Sequence, residues 1–296
     1  MAISSFHPPQ RTLMGPGPSD VSPRVLEALA RPTIGHLDPV FVGMMGEMKT
    51  LLQYAFQTQN ELTLPVSAPG SAGMETCFVN LVEPGDKVIV CQNGVFGGRM
   101  KENVERCGAT PIMVQDEWGT VVDPNKLEEA LKANPDAKVV AFVHAETSTG
   151  AQSDAKTLVK LAHEHDCLTI VDAVTSLGGT PLLVDEWDID AIYSGTQKCL
   201  SAPPGLSPIS FSDRAVEAVR QRKHPRHPAL PGLLFPPPTG ALHSRAPRAT
   251  SSHTGTPLPH TPRMDAAPHT PPRSHPHSAP GSPPSASRCP RSSAAP

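Results

Sequence analysis

The first 223 residues alternate between helical and strand patterns of apolar positions. Apolar residues recur at helical spacing over residues 41–56, 71–82 and 154–165. Short, mainly apolar runs separate such segments, at residues 88–90, 112–114, 139–143, 168–171 and 189–193. A continuous apolar run is typical of a strand that is covered on both faces. The alternation therefore predicts an α/β fold with a mostly parallel sheet and helices on both faces.

The periodic pattern ends at residue 224, where the composition changes. The last 73 residues hold 19 of the 36 prolines and 8 of the 13 histidines, but no Val, Ile or Trp. A chain with so few apolar side chains cannot bury enough surface to offset its conformational entropy. We therefore expect a disordered Pro-rich tail over residues 224–296.

The change of composition falls inside a predicted helix, whereas linkers usually begin after an element ends. A GC-rich gene read in another frame yields this residue set, so we hypothesise a frameshifted or mis-spliced tail. Sequencing the gene around codon 223 tests this hypothesis. The sequence thus predicts an N-terminal arm at 1–20, a folded domain at 21–223 and the tail at 224–296.

Charge and cysteine usage exclude several classes of protein. The tail has a net charge of +6 and the preceding residues −9, so the folded part is a poor match for nucleic acid. No apolar run is long enough to span a membrane, and the N-terminus lacks the apolar core of a signal peptide. The six cysteines form no CxxC pair, which indicates reduced thiols, no metal site and a cytoplasmic location.

Polar groups follow three predicted strands, at the sheet edge where α/β proteins bind ligands. They are residues 146–150, Asp172, and residues 194–198 with Lys198. A small-residue loop at 68–73 also opens a helix, whose N-terminus can bind an anion. Each feature alone has a simpler reading, as a turn, a helix cap or a solvated lysine.

Together these features match the needs of pyridoxal phosphate. Its phosphate binds helix N–H groups, its pyridine nitrogen needs a carboxylate, and its aldehyde needs a lysine amine. Burial near a cation favours the neutral amine that this lysine requires.

The segment from Leu13 to Lys223 resembles the class V aminotransferases of pyridoxal phosphate fold type I, and is most similar to the alanine–glyoxylate and serine–pyruvate group. Six ordered motifs carry the resemblance: residues 14–19, 83–86, 93–94, 146–150, 171–179 and 193–198, followed by residues 202–205. The resemblance implies the large domain of that fold, with a seven-stranded, mostly parallel sheet.

The resemblance also implies roles for individual residues. Lys198 would form the Schiff base and move protons, and Asp172 would pair with the pyridine nitrogen. Gly70 and Ser71 would hold phosphate, with Gln197 nearby. Val174 would lie under the cofactor ring, and Phe96 would lie on the other face of the ring or in the core. Thr147 would lie near the phenolic oxygen of the cofactor or near the substrate. The substrate entrance would be formed by Gly15, Pro16 and Gly17.

The implied reaction transfers an amino group from alanine or serine to glyoxylate or pyruvate, and the family form implies a homodimer. The family also has a small C-terminal domain with a carboxylate-binding arginine, which the tail replaces here. We therefore expect the small domain to be absent and turnover to be impaired.

Other readings stay open at this point. A truncated, non-catalytic chain is one, and a serine–glyoxylate aminotransferase is another. A cysteine desulfurase is a third, although Gln197 precedes Lys198 where that activity has His, and Cys199 lies too close to the lysine to swing freely. The last alternative is that the Pro-rich tail binds a protein partner.

Overall fold

The computed structural model describes residue 5 and residues 7–223. The predicted tail at 224–296 lies outside the described residues. Within the described part, no helix is both long enough and apolar enough to cross a membrane.

Residues 23–220 form seven helices and seven strands, which alternate from α2 to β5. The helices are α1 (Pro23–Leu29), α2 (Pro39–Phe56), α3 (Gly70–Leu81), α4 (Val95–Arg106), α5 (Pro124–Ala133), α6 (Ala155–Glu164) and α7 (Asp213–Arg220). The strands are β1 (Leu62–Val66), β2 (Lys87–Gln92), β3 (Thr110–Gln115), β4 (Ala137–Val143), β5 (Leu168–Asp172), β6 (Ala191–Tyr193) and β7 (Ser207–Phe211).

The strands form one sheet in the order β1-β7-β6-β5-β4-β2-β3. Strands β2 to β6 pair in parallel, and β7 is antiparallel to both β1 and β6. The predicted α/β class and the mostly parallel seven-stranded sheet are therefore confirmed.

Apolar side chains of β4 enter two separate cores, one on each face of the sheet. Val139, Ala141 and Val143 pack in the core that contains α3, α4 and α7. Val140 and Phe142 pack in the core that contains α5 and α6. This arrangement explains why the strand is apolar at consecutive positions rather than at alternate ones.

Two strands depart from the apolar pattern and were not predicted. In β7, Ser207 and Ser210 are fully buried, and in β1, Thr63 is 2% exposed. Ser207 Oγ donates to the Ser194 carbonyl over 2.6 Å, and the Thr63 and Ser210 hydroxyls lie 2.9 Å apart. These bonds satisfy the hydroxyls, so polar residues occupy buried strands without a large penalty.

Close packing brings the N-terminal half of α3 against the sheet. A Cβ on Gly73 would lie 3.1 Å from the Tyr193 Cβ and would overlap the Ser207 hydroxyl. Glycine at this position therefore lets the helix approach β6 and β7 closely. The N-terminus of α3 thereby comes to the edge of the sheet where β5 and β6 end.

Candidate active site

A cavity at the carboxyl ends of β5 and β6 gathers residues from four parts of the chain. Its lining consists of Pro69, Gly70, Ser71, Met74, Phe96, Arg99, Asp172, Val174, Tyr193, Gln197 and Lys198. Seven of these residues are ones to which the sequence assigned a cofactor role. The strand ends contribute Asp172 and Lys198 from the edge of the sheet at which parallel α/β folds bind ligands, and α3 and α4 contribute the other side of the cavity.

Asp172 ends β5 and is 2% exposed. Its Oδ1 accepts the Val174 N–H over 2.8 Å, and its Oδ2 accepts the Tyr193 hydroxyl over 2.7 Å. Burial raises the pKa of Asp172 to about 6, against the opposing effect of these two hydrogen bonds. The carboxylate is thus fixed in orientation, and a cation beside it would be strongly favoured.

Tyr193 is fully buried, and its phenol is held as a proton donor. Burial and the neighbouring Asp172 raise the pKa of Tyr193 well above its usual range. The phenol therefore stays protonated and donates to the carboxylate throughout the neutral range.

Lys198 follows β6 and contacts the N-terminal arm. Its Nζ donates to the Pro16 carbonyl, and partial burial lowers the pKa of Lys198. A Cβ on Gly17, which has φ +135°, would lie 2.6 Å from the lysine Cδ. The Ser19 Oγ donates to the Lys198 carbonyl over 2.6 Å, and the Ser19 N–H donates to the Gln197 carbonyl over 2.8 Å. The arm is therefore attached to the lysine segment.

Helix α3 begins at Gly70 with its first N–H groups uncapped by any described side chain, because Pro69 occupies the N-cap. A Cβ on Gly70 would lie 3.1 Å from Val174 Cγ2, so the helix end sits directly on the turn after β5. Ser71 adds a hydroxyl at the same place. Unsatisfied N–H groups at a helix N-terminus attract anions.

Phe96 is positioned by a buried carboxylate. Glu146 is 1% exposed, and its Oε2 accepts the Phe96 N–H over 3.1 Å. Its Oε1 accepts the Ser148 hydroxyl over 2.7 Å, and the Ser148 Oγ accepts the Val95 N–H over 3.0 Å. The loop after β4 thus caps α4 and fixes the backbone from which the Phe96 ring enters the cavity.

Four predicted residues lie outside the cavity lining. The Thr147 hydroxyl bonds to the Thr175 hydroxyl. Pro16 and Gly17 contact Lys198, as described above. Gly15 is exposed, and a Cβ there would have no neighbour within 4 Å among the described residues.

The lining also includes residues that the sequence did not assign, notably Met74, Arg99 and Tyr193. Met74 lies one helical turn after Gly70, so helical spacing was a usable signal for it. Tyr193 lies directly before a polar strand end, and its apolar neighbours gave it the appearance of a core residue. Arg99 lies one turn of α4 away from Phe96, and its Cζ is 4.8 Å from the centre of that ring.

Comparison with known proteins places this site in a family. A model of the family described as aminotransferase class-V matches residues 26–224. The chain is 43% identical over 216 residues to a (S)-ureidoglycine–glyoxylate transaminase of Bacillus subtilis, covering 73% of this chain and 51% of that protein. It is 44% identical over 215 residues to an alanine–glyoxylate aminotransferase of Rattus norvegicus, covering 73% and 52%.

A solved structure gives the same result. The crystal structure of an alanine–glyoxylate aminotransferase from Nostoc sp. matches with a TM-score of 0.75 and 41% identity, covering 77% of this chain and 60% of that one. The chain spans about half the length of the two relatives that it matches in sequence. With two thirds of its residues matched by the family model, the chain belongs to the class-V aminotransferase family.

Proposed function

We propose that this chain carries the cofactor-binding part of a pyridoxal phosphate-dependent aminotransferase. The observation that carries the proposal is the meeting of Lys198, Asp172 and the uncapped α3 N-terminus in one cavity. Family membership implies the cofactor, and these groups fit it: an amine, a buried carboxylate and an anion site. The cofactor supplies an aldehyde that condenses with amines and a ring that accepts electrons.

The chain's own residues have separate tasks in this proposal. Asp172 would hold the proton on the ring nitrogen, because its carboxylate is buried and fixed by two donors. Lys198 Nζ would move a proton at the substrate α-carbon, which its lowered pKa favours. The α3 N-terminus would bind the phosphate, and Val174 and Phe96 would confine the ring between them.

For the substrates, we propose alanine or serine as amino donor and glyoxylate or pyruvate as acceptor. Support for glyoxylate comes from the names of the relatives, which share that acceptor although their donors differ. Within the cavity lining, Lys198 and Arg99 are the two cationic side chains that could attract a 2-oxo acid.

The cysteine desulfurase reading is less well supported. Such an enzyme needs a mobile nucleophilic thiol, whereas the Cys199 Sγ lies 3.3 Å from the Thr175 carbonyl. A Cβ on Gly179 would lie 3.1 Å from the Cys199 Cβ, so this exposed side chain contacts the turn after β5.

We further propose the division into an arm (1–20), a cofactor domain (21–223) and a C-terminal segment (224–296). We also propose a cytoplasmic location and a homodimer. The five described cysteines are free thiols, which supports a reducing compartment. For the homodimer, the support is the number of exposed apolar side chains on α1, α2 and the loop between them. Only Phe56 is buried in α2, whereas Leu37, Val40 and Tyr54 are 80%, 71% and 76% exposed. A second copy of the chain would cover this surface.

The experiment is to add pyridoxal phosphate to the purified full chain and record its visible spectrum. We expect an absorption band with the wild type and with Lys160→Ala, an exposed lysine, and none with Lys198→Ala. Alanine and glyoxylate are then supplied, and pyruvate is measured; serine in place of alanine tests the alternative donor. A band that persists in Lys198→Ala would refute the site. A lysine-dependent band without product would instead support the non-catalytic reading.

A further inference from the structure

The cavity contains a second cationic side chain, to which the proposed function assigns no contact with the cofactor. Arg99 lines the cavity together with Lys198 and Asp172. Its guanidinium lies over the Phe96 ring, with Cζ 4.8 Å from the ring centre. Among residues 7–223, the ion pairs join other side chains, and none includes Arg99. The guanidinium is therefore placed by an aromatic face and is available to an anion.

Arg99 also lies beside the N-terminus of α3. Arg99, Ser71 and Met74 line the site cavity and line a neighbouring groove between α3 and α4 as well. Arg99 and the first residues of α3, Gly70 and Ser71, thus line one cavity.

The charge balance of the cavity favours a cation near the phosphate. A phosphate monoester carries a charge of about −1.5 to −2 at neutral pH, whereas a helix N-terminus offers roughly +0.5. Asp172 adds negative charge, and in the proposed function Lys198 reacts with the cofactor aldehyde and does not bind the phosphate. Arg99 is the remaining cationic side chain in the described lining. A guanidinium can also bind phosphate through two parallel hydrogen bonds.

We propose that Arg99 binds the phosphate group of the cofactor, while its stacking on Phe96 places the guanidinium for that contact. This inference rests on the proposed function and adds a phosphate-binding residue to it. The guanidinium is exposed to solvent, so its contribution decreases as the salt concentration rises.

The test compares the full chain with Arg99→Gln and with Arg106→Gln. Arg106 lines the α3–α4 groove but not the site cavity, and it pairs with Glu102 at 2.6 Å, so it is a matched control. Dissociation constants are measured by visible absorbance for pyridoxal phosphate and for pyridoxal, which lacks the phosphate. We expect Arg99→Gln to raise the constant for pyridoxal phosphate about tenfold and that for pyridoxal less than about twofold.

Other results would overturn the inference in distinguishable ways. An equal loss for both ligands would mean that Arg99 only positions Phe96. Unchanged binding of both, with weaker glyoxylate binding, would assign Arg99 to the substrate carboxylate. If the wild type binds neither ligand, the proposed function fails together with the inference; if it binds and transaminates while Arg99→Gln is unaltered, the inference alone fails.

A second measurement does not depend on the cofactor. Phenylglyoxal modifies accessible arginines, and peptide mass spectrometry reports the modification of each one. Inorganic phosphate should protect Arg99 and leave Arg106 reactive. Equal protection of both arginines, or of neither, would contradict a phosphate site at Arg99.

Discussion

The Tyr193 hydroxyl donates to Asp172 Oδ2 over 2.7 Å, inside a core where both residues are almost fully buried. The Val174 N–H binds the other carboxylate oxygen. A buried carboxylate destabilises the fold unless its oxygens accept hydrogen bonds, and the Tyr193 phenol donates one of the two described here. The orientation of the group that would face the cofactor nitrogen thus depends on a residue of the neighbouring strand.

Replacing Tyr193 by Phe should weaken cofactor binding in a pH-dependent manner. The lost donor favours the protonated carboxyl, so the pKa of Asp172 should rise above its value of about 6. Affinity for pyridoxal phosphate should then increase with pH over a higher range than in the wild type. Dissociation constants from pH 5.5 to 8.5 measure this shift. Tyr54→Phe, at a 76% exposed position, is the control and should match the wild type.

The pKa of Asp172 also predicts how stability depends on pH without cofactor. The raised pKa means that, between about pH 4 and 6, the folded chain holds a proton that the unfolded chain has lost. The free energy of unfolding should therefore fall as the pH rises through this range, by up to about 3 kcal/mol from this group. Asp172→Asn should remove that part of the dependence.

Denaturant titrations at pH 4.5 and pH 8 compare the wild type, Asp172→Asn and the exposed control Asp213→Asn. The difference in free energy of unfolding between Asp172→Asn and the wild type should shift in favour of the variant from pH 4.5 to pH 8. The corresponding difference for the control should not change in this way. A pH-independent difference between Asp172→Asn and the wild type would mean that this carboxyl is already ionised at pH 4.5.

Gly17 should tolerate no side chain, because Lys198 occupies the adjoining space. Gly17→Ala would place a Cβ 2.6 Å from the lysine Cδ and would strain a backbone with φ +135°, at a cost of about 1–3 kcal/mol. The displaced lysine should form the visible cofactor band several-fold more slowly, as stopped-flow absorbance can show. Gly15→Ala is the matched control, since its Cβ has no described neighbour within 4 Å. Equal rates in the two variants would contradict this contact.

The exposed apolar surface of α1 and α2 should determine the association state. Burial of a large aliphatic side chain contributes about 1.5–3 kcal/mol, so introducing two charges there should dissociate a dimer. We expect sedimentation velocity to report a dimer for the wild type and a monomer for Leu37→Glu combined with Val40→Glu. Trp118→Glu alters an exposed apolar side chain in a distant loop and should leave the dimer intact. A monomeric wild type would refute the proposed interface.

The elements that follow apolar periodicity could be predicted, and those that depend on tertiary contacts could not. Strand β4 is visible in the sequence because both of its faces are buried. Strand β7 is not, because Ser207 and Ser210 are buried through hydrogen bonds to distant residues. Likewise the sequence gives no apolar periodicity that marks the start of α4 at Val95. Its early glycines are required by packing, since a Cβ on Gly97 would lie 2.8 Å from Gln92 Cα.

The same distinction holds for the site. Asp172 and Lys198 could be proposed because one ends a parallel strand and the other lies in the segment after the next parallel strand, and the topology brings such positions together. Tyr193 and Glu146 act through contacts between strands and loops, which no local pattern reveals. Glu146 even resembles an ordinary turn residue, although it is 1% exposed and fixes the first turn of α4.

The reversed direction of β7 has a consequence for how this protein can change. Because β7 runs back beside β6, the segment that carries Lys198 is a loop closed at its base, where the Ser194 N–H donates to the Pro208 carbonyl over 2.8 Å. Both ends of the loop are therefore tied to the same edge of the sheet before residue 212. Replacement of the chain beyond Phe211 would therefore leave both ends of the loop that carries Lys198 bonded to the sheet.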